Sequence, residues 1–320
     1  MSEEICCKDP AGKEKNMRLG YPCLNRTLSE NKKRPNHGTT VKHLRKLSSH
    51  ERRRKLNGLL HKNLQNNLEI LKFNVKNNIE VYRFCSDIVP LATHSLTDDW
   101  SYLEEAREEL AELGKFVREH DLRVSMHPEQ FTVLNSNKEK VVKNACEDLK
   151  YHHKFLQAMG LDSHHIIILH IGGVYGNKDK SRRRFIKNFR KLDSGIQKRL
   201  VIENDDQSYT AGEVLEVAEE LEIPMILDIH HFNCNHRKEE NLSDLLPRAL
   251  ATWRNRKPKL HFSSPASLDN PTRHADEINA DDFAEFLSLA DRAVDKDFDV
   301  MLECKEKERA LFKLRRQLGL

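Results

Sequence analysis

Six short apolar runs in this sequence each stop at a residue that can bind a metal ion or move a proton. Residues 123–126 stop at His127, 166–169 at His170, 200–202 at Glu203, 225–227 at Asp228, 259–260 at His261 and 299–302 at Glu303. Strands of a parallel barrel are covered on both faces, so they read as continuous apolar runs rich in β-branched residues. Their C-terminal ends converge on one rim. A polar group at the end of each such strand is what a catalytic rim needs. Any one run alone also fits a core strand followed by an acidic or basic turn. The recurrence favours the barrel.

Two further runs, 17–21 and 81–84, bring the strands to eight, alternating with helical stretches at intervals of roughly 30 residues. Leu56, Leu60, Leu64, Leu68, Leu71 and Val75 recur every three or four residues and predict one long amphipathic helix after Ser49. Residues 100–120 predict a second, acidic one, with others over 139–159, 210–221, 242–252, 280–289 and 305–318. The expected fold is a TIM (β/α)8 barrel forming a single domain over residues 17–320. Residues 1–16, polar and with Pro10 and Gly12, are expected to be a disordered tail. An open doubly wound sheet is the alternative, but it gathers its ligands at one switch point, whereas here six strand ends contribute. The run Ile171-Gly172-Gly173-Val174-Tyr175-Gly176 is no dinucleotide fingerprint, so no nucleotide cofactor is expected.

Only 38% of residues are hydrophobic and 32% are charged, so the outer surface must be highly charged, and the net +4 admits an anionic partner. Arg52, Arg53, Arg54 and Lys55 crowd the start of the long helix, where the helix dipole disfavours cations. Arg182, Arg183 and Arg184 form a second cluster, and the loop 25–40 carries Lys32, Lys33, Arg34 and His37. These read as solvated faces or as contacts to a phosphate backbone. The 7 cysteines are odd in number and follow no metal or disulfide spacing, which suits reduced thiols. No run nears the roughly 20 apolar residues of a membrane span. The chain is therefore expected to be soluble and cytoplasmic, without a membrane partner.

The candidate ligands are His127, His170, Glu203, Asp228, His231, His261, His274 and Glu303. Imidazole and carboxylate together suit Mn or Zn, and carboxylate suits Mg. Eight such groups exceed what one ion needs, so two or three divalent ions are expected, with a carboxylate bridging. Paired ions clamp the attacking and leaving oxygens in phosphoryl transfer. His230 competes with His231 as the imidazole ligand after Asp228. The pairs His152-His153 and His164-His165 are assigned to surface or packing. Lys259 precedes His261 by two and points the same way off its strand. Beside cations it must be paired with a carboxylate or chemically changed.

Gly20-Tyr21-Pro22, Pro90-Leu91-Ala92-Thr93-His94, Ser125-Met126-His127-Pro128 with Gln130-Phe131, His170-Ile171-Gly172-Gly173, Glu203-Asn204-Asp205, Asp228-Ile229-His230-His231 and Lys259-Leu260-His261-Phe262-Ser263-Ser264 resemble UV damage endonuclease. The resemblance spans about residues 17–312 and extends more distantly to endonuclease IV and xylose isomerase. It implies a β/α barrel with a trinuclear site, usually Mn2+, with Mg2+, Co2+ and Zn2+ as alternatives. The implied activity is incision of double-stranded DNA immediately 5′ of cyclobutane dimers and 6-4 photoproducts, and at abasic sites. Metal-activated water would leave a 3′-hydroxyl and a 5′-phosphate and so start an alternative excision repair. His127, His170 and Glu203 resemble ligands of a first ion; Glu203, Asp228, His261 and Glu303 of a second; His231 and His274 of a third. Lys259 matches a lysine that can be carboxylated near the third ion. Gln130 and Phe131 match a probe pair pushed into the duplex opposite the lesion. Tyr21, Asn25 and His94 match other active-site positions, the first two also as lesion contacts. The expected protein is a monomer of bacterial type, associated with the nucleoid when acting.

Two departures bear on this. Some relatives carry Tyr at the position of Phe131, and endonuclease IV carries an Asp where this chain has Thr272, leaving the third ion short of a carboxylate. A carboxylated Lys259 would supply that oxygen. The rival readings are an abasic-site endonuclease of the endonuclease IV type, a sugar isomerase and an inactive DNA-binding barrel.

Overall fold

The computed structural model describes residues 17–295 and 297–320; the tail expected over 1–16 lies outside them. Among these residues ten strands occur in chain order: β1 Arg18–Pro22, β2 Val81–Phe84, β3 Arg123–Met126, β4 Ile166–His170, β5 Leu200–Glu203, β6 Met225–Ile226, β7 Lys259–Phe262, β8 Pro265–Ser267, β9 Asn270–His274 and β10 Asp299–Leu302. Eight of them form one parallel sheet in the order β6-β5-β4-β3-β2-β1-β10-β7. A bridge between Asp228 and His261 joins its two ends, and the His261 N–H donates to the Leu227 carbonyl at 3.2 Å. The fold is a (β/α)8 barrel, as expected.

That closing seam is thin for a local reason. β6 is only two residues long because Asp228 immediately caps the helix Ile229–Cys234, its carboxylate accepting from the His231 N–H at 2.8 Å. The strand is traded for a turn that swings His231 inward.

The interior and exterior of the barrel are packed differently. Ile166, Ile168, Val201 and Ile226 form a separate apolar cluster with Trp253, whose indole N–H donates to the Met225 carbonyl at 2.7 Å. On β4, β5 and β6 these residues alternate into register with His170, Glu203 and Asp228, so the cluster lies inside the barrel beneath them. The opposite inner wall is polar. Arg123 donates to Asp299 Oδ2 at 2.7 Å, and Arg18 Nε lies 3.2 Å from Asp299 Oδ1. Gly20 has no alternative there, since a Cβ would fall 2.2 Å from the Val81 carbonyl oxygen on β2.

The helix layer covers the outside. Helix Ser49–Lys76 opens on a capping box between Ser48 and Glu51 and buries Leu56, Leu60, Leu64 and Leu71. It also buries Asn63, Asn66 and Asn67, which the apolar stripe gave no reason to expect. Their amides donate to the carbonyls of His37, Arg34 and Pro35, fastening the basic loop to the helix. The expected single helix over 100–120 is two, Tyr102–Glu105 and Arg107–Glu119, because Ala106 leaves helical geometry at φ −113°.

Candidate metal centre

Glu203 ends β5 with a carboxylate only 1% exposed. Its Oε2 lies 3.2 Å from His127 Nε2 and 3.7 Å from His170 Nε2. Its Oε1 lies 2.6 Å from His261 Nδ1 and 3.9 Å from His231 Nδ1. Three overlapping groups share this one residue: His127 with His170, His261 with Glu303, and Asp228 with His231. His261 Nδ1 is also 3.1 Å from Glu303 Oε1 and 4.0 Å from Asp228 Oδ2.

Backbone carbonyls orient the imidazoles. His127 Nδ1 meets the Pro128 carbonyl at 2.9 Å, His170 Nδ1 the Glu203 carbonyl at 3.2 Å, and His231 Nδ1 the Asn204 carbonyl at 3.0 Å. Such contacts fix a ring and leave its other nitrogen for a ligand. Asn204 additionally locks the seam, donating to the Asp228 carbonyl at 3.0 Å and accepting from the Asp228 N–H at 2.9 Å. His274 Nδ1 meets the Glu303 carbonyl, and its ring stands 6.0 Å from that of His231. His230 turns away, with Nε2 3.3 Å from the Thr272 carbonyl. Asp228 and Glu203 therefore face His231 and not its neighbour. Thr272 contributes a carbonyl to this packing and no carboxylate.

Three carboxylates this close repel one another. Arg83, on β2, makes an ion pair with Glu303 and lies near Glu203. Burial alone would weaken its hold on the proton, but these acids outweigh that and keep the guanidinium firmly charged. Sequence reasoning missed Arg83; an arginine inside an otherwise apolar strand was the available signal. Burial opposes ionisation of Glu203, yet His261 and His170 hold it well below the usual carboxylate range. His231 is pushed up to about 9, burial being outweighed by Asp228, Glu203 and Glu303. Even so, Asp228 Oδ2 and His261 Nε2 are buried without a hydrogen-bond partner. Asp228 Oδ2, which lies on the side of His261 Nδ1, carries a cost that a coordinated cation removes. The donor set, imidazole and carboxylate with no thiolate, fits divalent ions of the Mn or Zn type.

The other expected site residues are placed as follows. Gln130 and Phe131 sit on the loop after β3. Two clefts of about 330 and 390 Å³ meet there, sharing His127, Gln130, His170 and His231 as a common wall. Phe131 is 73% exposed. Lys259 is fully buried on β7, and its amine donates to Ser125 Oγ at 3.3 Å. Among the described residues no carboxylate lies at ion-pair distance from that amine. Tyr21 and Asn25 do not line the clefts. The Tyr21 hydroxyl donates to Asn74 Oδ1 at 2.6 Å and accepts from Asn25 at 2.9 Å, with both side chains buried against the helix layer. His94 caps a short 3-10 turn, accepting from the Leu96 N–H at 3.0 Å, and joins none of the three groups.

Residues 17–319 match the family model described as UV-endonuclease UvdE. The chain belongs to this family. It is 41% identical to a UV DNA damage endonuclease of Bacillus velezensis over 276 residues, covering 86% of each chain. The crystal structure of SacUVDE matches with a TM-score of 0.85 at 34% identity, over 95% of this chain and 98% of that one. Endonuclease IV from Thermus thermophilus shares the barrel alone, with a TM-score of 0.54 at 15% identity over 78% and 93%. This UvdE-family chain is a DNA repair endonuclease, and no described helix is long and apolar enough to cross a membrane.

The basic clusters have a place in such an enzyme. In a β/α barrel the helix N-termini lie on the same rim as the strand C-termini. Arg52–Arg54 and Arg182–Arg184 both lie near helix starts and so near this rim. Several of these guanidiniums also serve structure. Arg52 donates to the Leu96 carbonyl, Arg53 to that of Asp99, and Arg182 pairs with Glu216. Arg54 and Arg183 are exposed.

Proposed function

We propose that this chain uses two or three divalent ions, Mn2+ foremost, to cut duplex DNA immediately 5′ of UV photoproducts and at abasic sites. The observation that carries the proposal is the convergence of three ligand groups on Glu203, with Asp228 Oδ2 left without a hydrogen-bond partner in one of them. His127, His170 and Glu203 would hold one ion, Glu203, Asp228, His261 and Glu303 a second, and His231 with His274 a third. When bound, such ions activate a water nucleophile and stabilise the leaving 3′ oxygen, which leaves a 3′-hydroxyl and a 5′-phosphate. The chain's own residues do the rest. Glu203 holds the groups together, and Arg83 aims Glu303 and offsets part of the negative charge. The carbonyls of Pro128, Glu203 and Asn204 keep the imidazoles from rotating.

Lesion recognition falls to Gln130 and Phe131 in this reading. A 73%-exposed Phe at a polar rim has no packing role. A photodimer is already poorly stacked, so extruding it costs less than extruding intact bases. Phe131 would stack in the gap while Gln130 bonds to exposed base edges. Tyr21 and Asn25 would act from behind, steadying the turn after β1. The buried amine of Lys259, lacking an acidic partner, would carry a carboxylate and supply the oxygen that Thr272 does not.

Supercoiled plasmid, UV-irradiated or intact, is the test. Nicking of irradiated plasmid with Mn2+, suppressed by EDTA and weak on intact plasmid, is expected. Equal nicking of both would remove lesion specificity. Nicking only of plasmid depurinated to carry abasic sites would favour the endonuclease IV type of activity.

A further inference from the structure

The large apolar side chains exposed among the described residues are Phe131, Tyr175, Leu268 and Leu320. Leu320 is the last residue. The other three lie on loops that leave the C-terminal ends of barrel strands. Leu268 is the most exposed of all, at 98%. It occupies the tip of the antiparallel hairpin β8–β9, where Ser267 pairs with Asn270 and the Asn270 N–H donates to Ser267 Oγ at 3.2 Å. Sequence reasoning did not foresee this hairpin.

The hairpin stands on the candidate centre. Its foot includes His274, and the Ala275 N–H donates to the Ser264 carbonyl at 2.8 Å beside it. The Thr272 carbonyl receives His230. From Pro265 to Arg273 every residue is exposed, and the β9 arm meets the helix Ile229–Cys234 only through the Pro271 and Thr272 carbonyls. An apolar tip held out in this way has no folding role. β7, from which the hairpin rises, is four strands from β3 in the closed eight-strand order, so it lies diametrically opposite. Phe131 and Leu268 thus rise from opposite sides of the rim.

We propose that Leu268 is a second wedge, inserted into the base stack on the side of the lesion away from Phe131. This deepens the reading of the site as a cutter of damaged duplex and rests on it. Apolar side chains such as Leu, pushed between base steps, unstack and kink a duplex. Two wedges from opposite sides of the rim would hold both flanks of a distorted step while the phosphate between them lies over the metal ligands. The turn carries Asp269 and no cation, so it is no phosphate clamp, and Leu268 is the group it has to offer a duplex.

The test compares wild type, Leu268→Ala and Leu268→Phe on a paired duplex containing one cyclobutane dimer and on the same dimer inside a bubble of unpaired bases. Leu268→Ala is expected to raise KM on the paired duplex about tenfold, the size of one lost base contact. On the bubble, where opening is already done, KM should stay within about twofold, and Leu268→Phe should restore the paired value. Equal losses on both substrates, or none on either, would overturn the wedge. So would sedimentation showing that wild type pairs with a second copy and Leu268→Ala does not. If wild type fails to cut the paired dimer, the reading of the site fails and the wedge falls with it.

Discussion

At Glu203 a single buried carboxylate faces His127, His170, His231 and His261 and lies in all three ligand groups. Replacing it by Gln keeps the shape and removes the charge. Incision by Glu203→Gln is expected to fall at least about 10³-fold, as when a preorganised electrostatic contact is lost. Activity within about tenfold of wild type at equal metal content, measured by atomic emission, would remove Glu203 from the centre. Lys259 poses a different question, because an amine buried without an acid is costly to charge. A carbamate on Nζ is expected as extra density in crystals grown near neutral pH in the presence of bicarbonate. Bare Nζ on Ser125 Oγ, with metals bound, would be the contrary result.

Among the elements, the loop after β3 and the turn at Asp228 do most to shape the rim. The loop projects Phe131 while its own Thr132 side chain ties back to Asp148 at 2.7 Å, so the exposed ring rides on an anchored backbone. The double variant Gln130→Ala/Phe131→Ala is therefore expected to keep its metals and its melting temperature but to lose incision of a dimer-containing duplex. Loss should be about tenfold or more, in keeping with one or two missing base contacts. Early melting or lost metal would show that Phe131 packs the loop. Wild-type incision would show that the pair does not probe the lesion.

Across the whole molecule, charge is concentrated at both ends of the barrel. At the rim, three buried or half-buried carboxylates face the imidazoles, and the metal binding proposed there should stabilise the fold by mass action, about 2.7 kcal/mol at a hundredfold excess over Kd. Calorimetry with Mn2+ and with EDTA should show a higher Tm in the first. At the other end Asp299 serves Arg18, Arg123 and Lys257 at once. Burial alone would raise its carboxyl, but Arg123 and Arg18 outweigh that and hold it at about 2. A carboxyl lowered on folding stabilises fully above its unfolded value near 4, and that contribution fades as pH falls from about 4 to about 2. Asp299→Asn is expected to cost roughly 3–5 kcal/mol at neutral pH, since it strands buried cations. Urea melts should show the gap to wild type closing below about pH 3.

The barrel and the gathering of polar groups at its rim were legible in the sequence because both rest on local pattern. A strand buried on two faces must be apolar, and the residue that ends it must face the rim, so six strand ends announced the centre. The stripe from Leu56 to Leu71 announced a helix for the same reason. What tertiary structure alone decided is pairing over distance. Nothing near Arg83 in the chain points to Glu303, which lies 220 residues away. Nor does the pattern say that Tyr21 spends its hydroxyl on Asn74, or that His230 turns from the centre toward Thr272. The hairpin under Leu268 was invisible because its arms are exposed from Pro265 to Arg273 and carry no alternation of apolar and polar residues. Burial writes itself into sequence as periodicity; a contact between two polar side chains, or a strand with no buried face, does not.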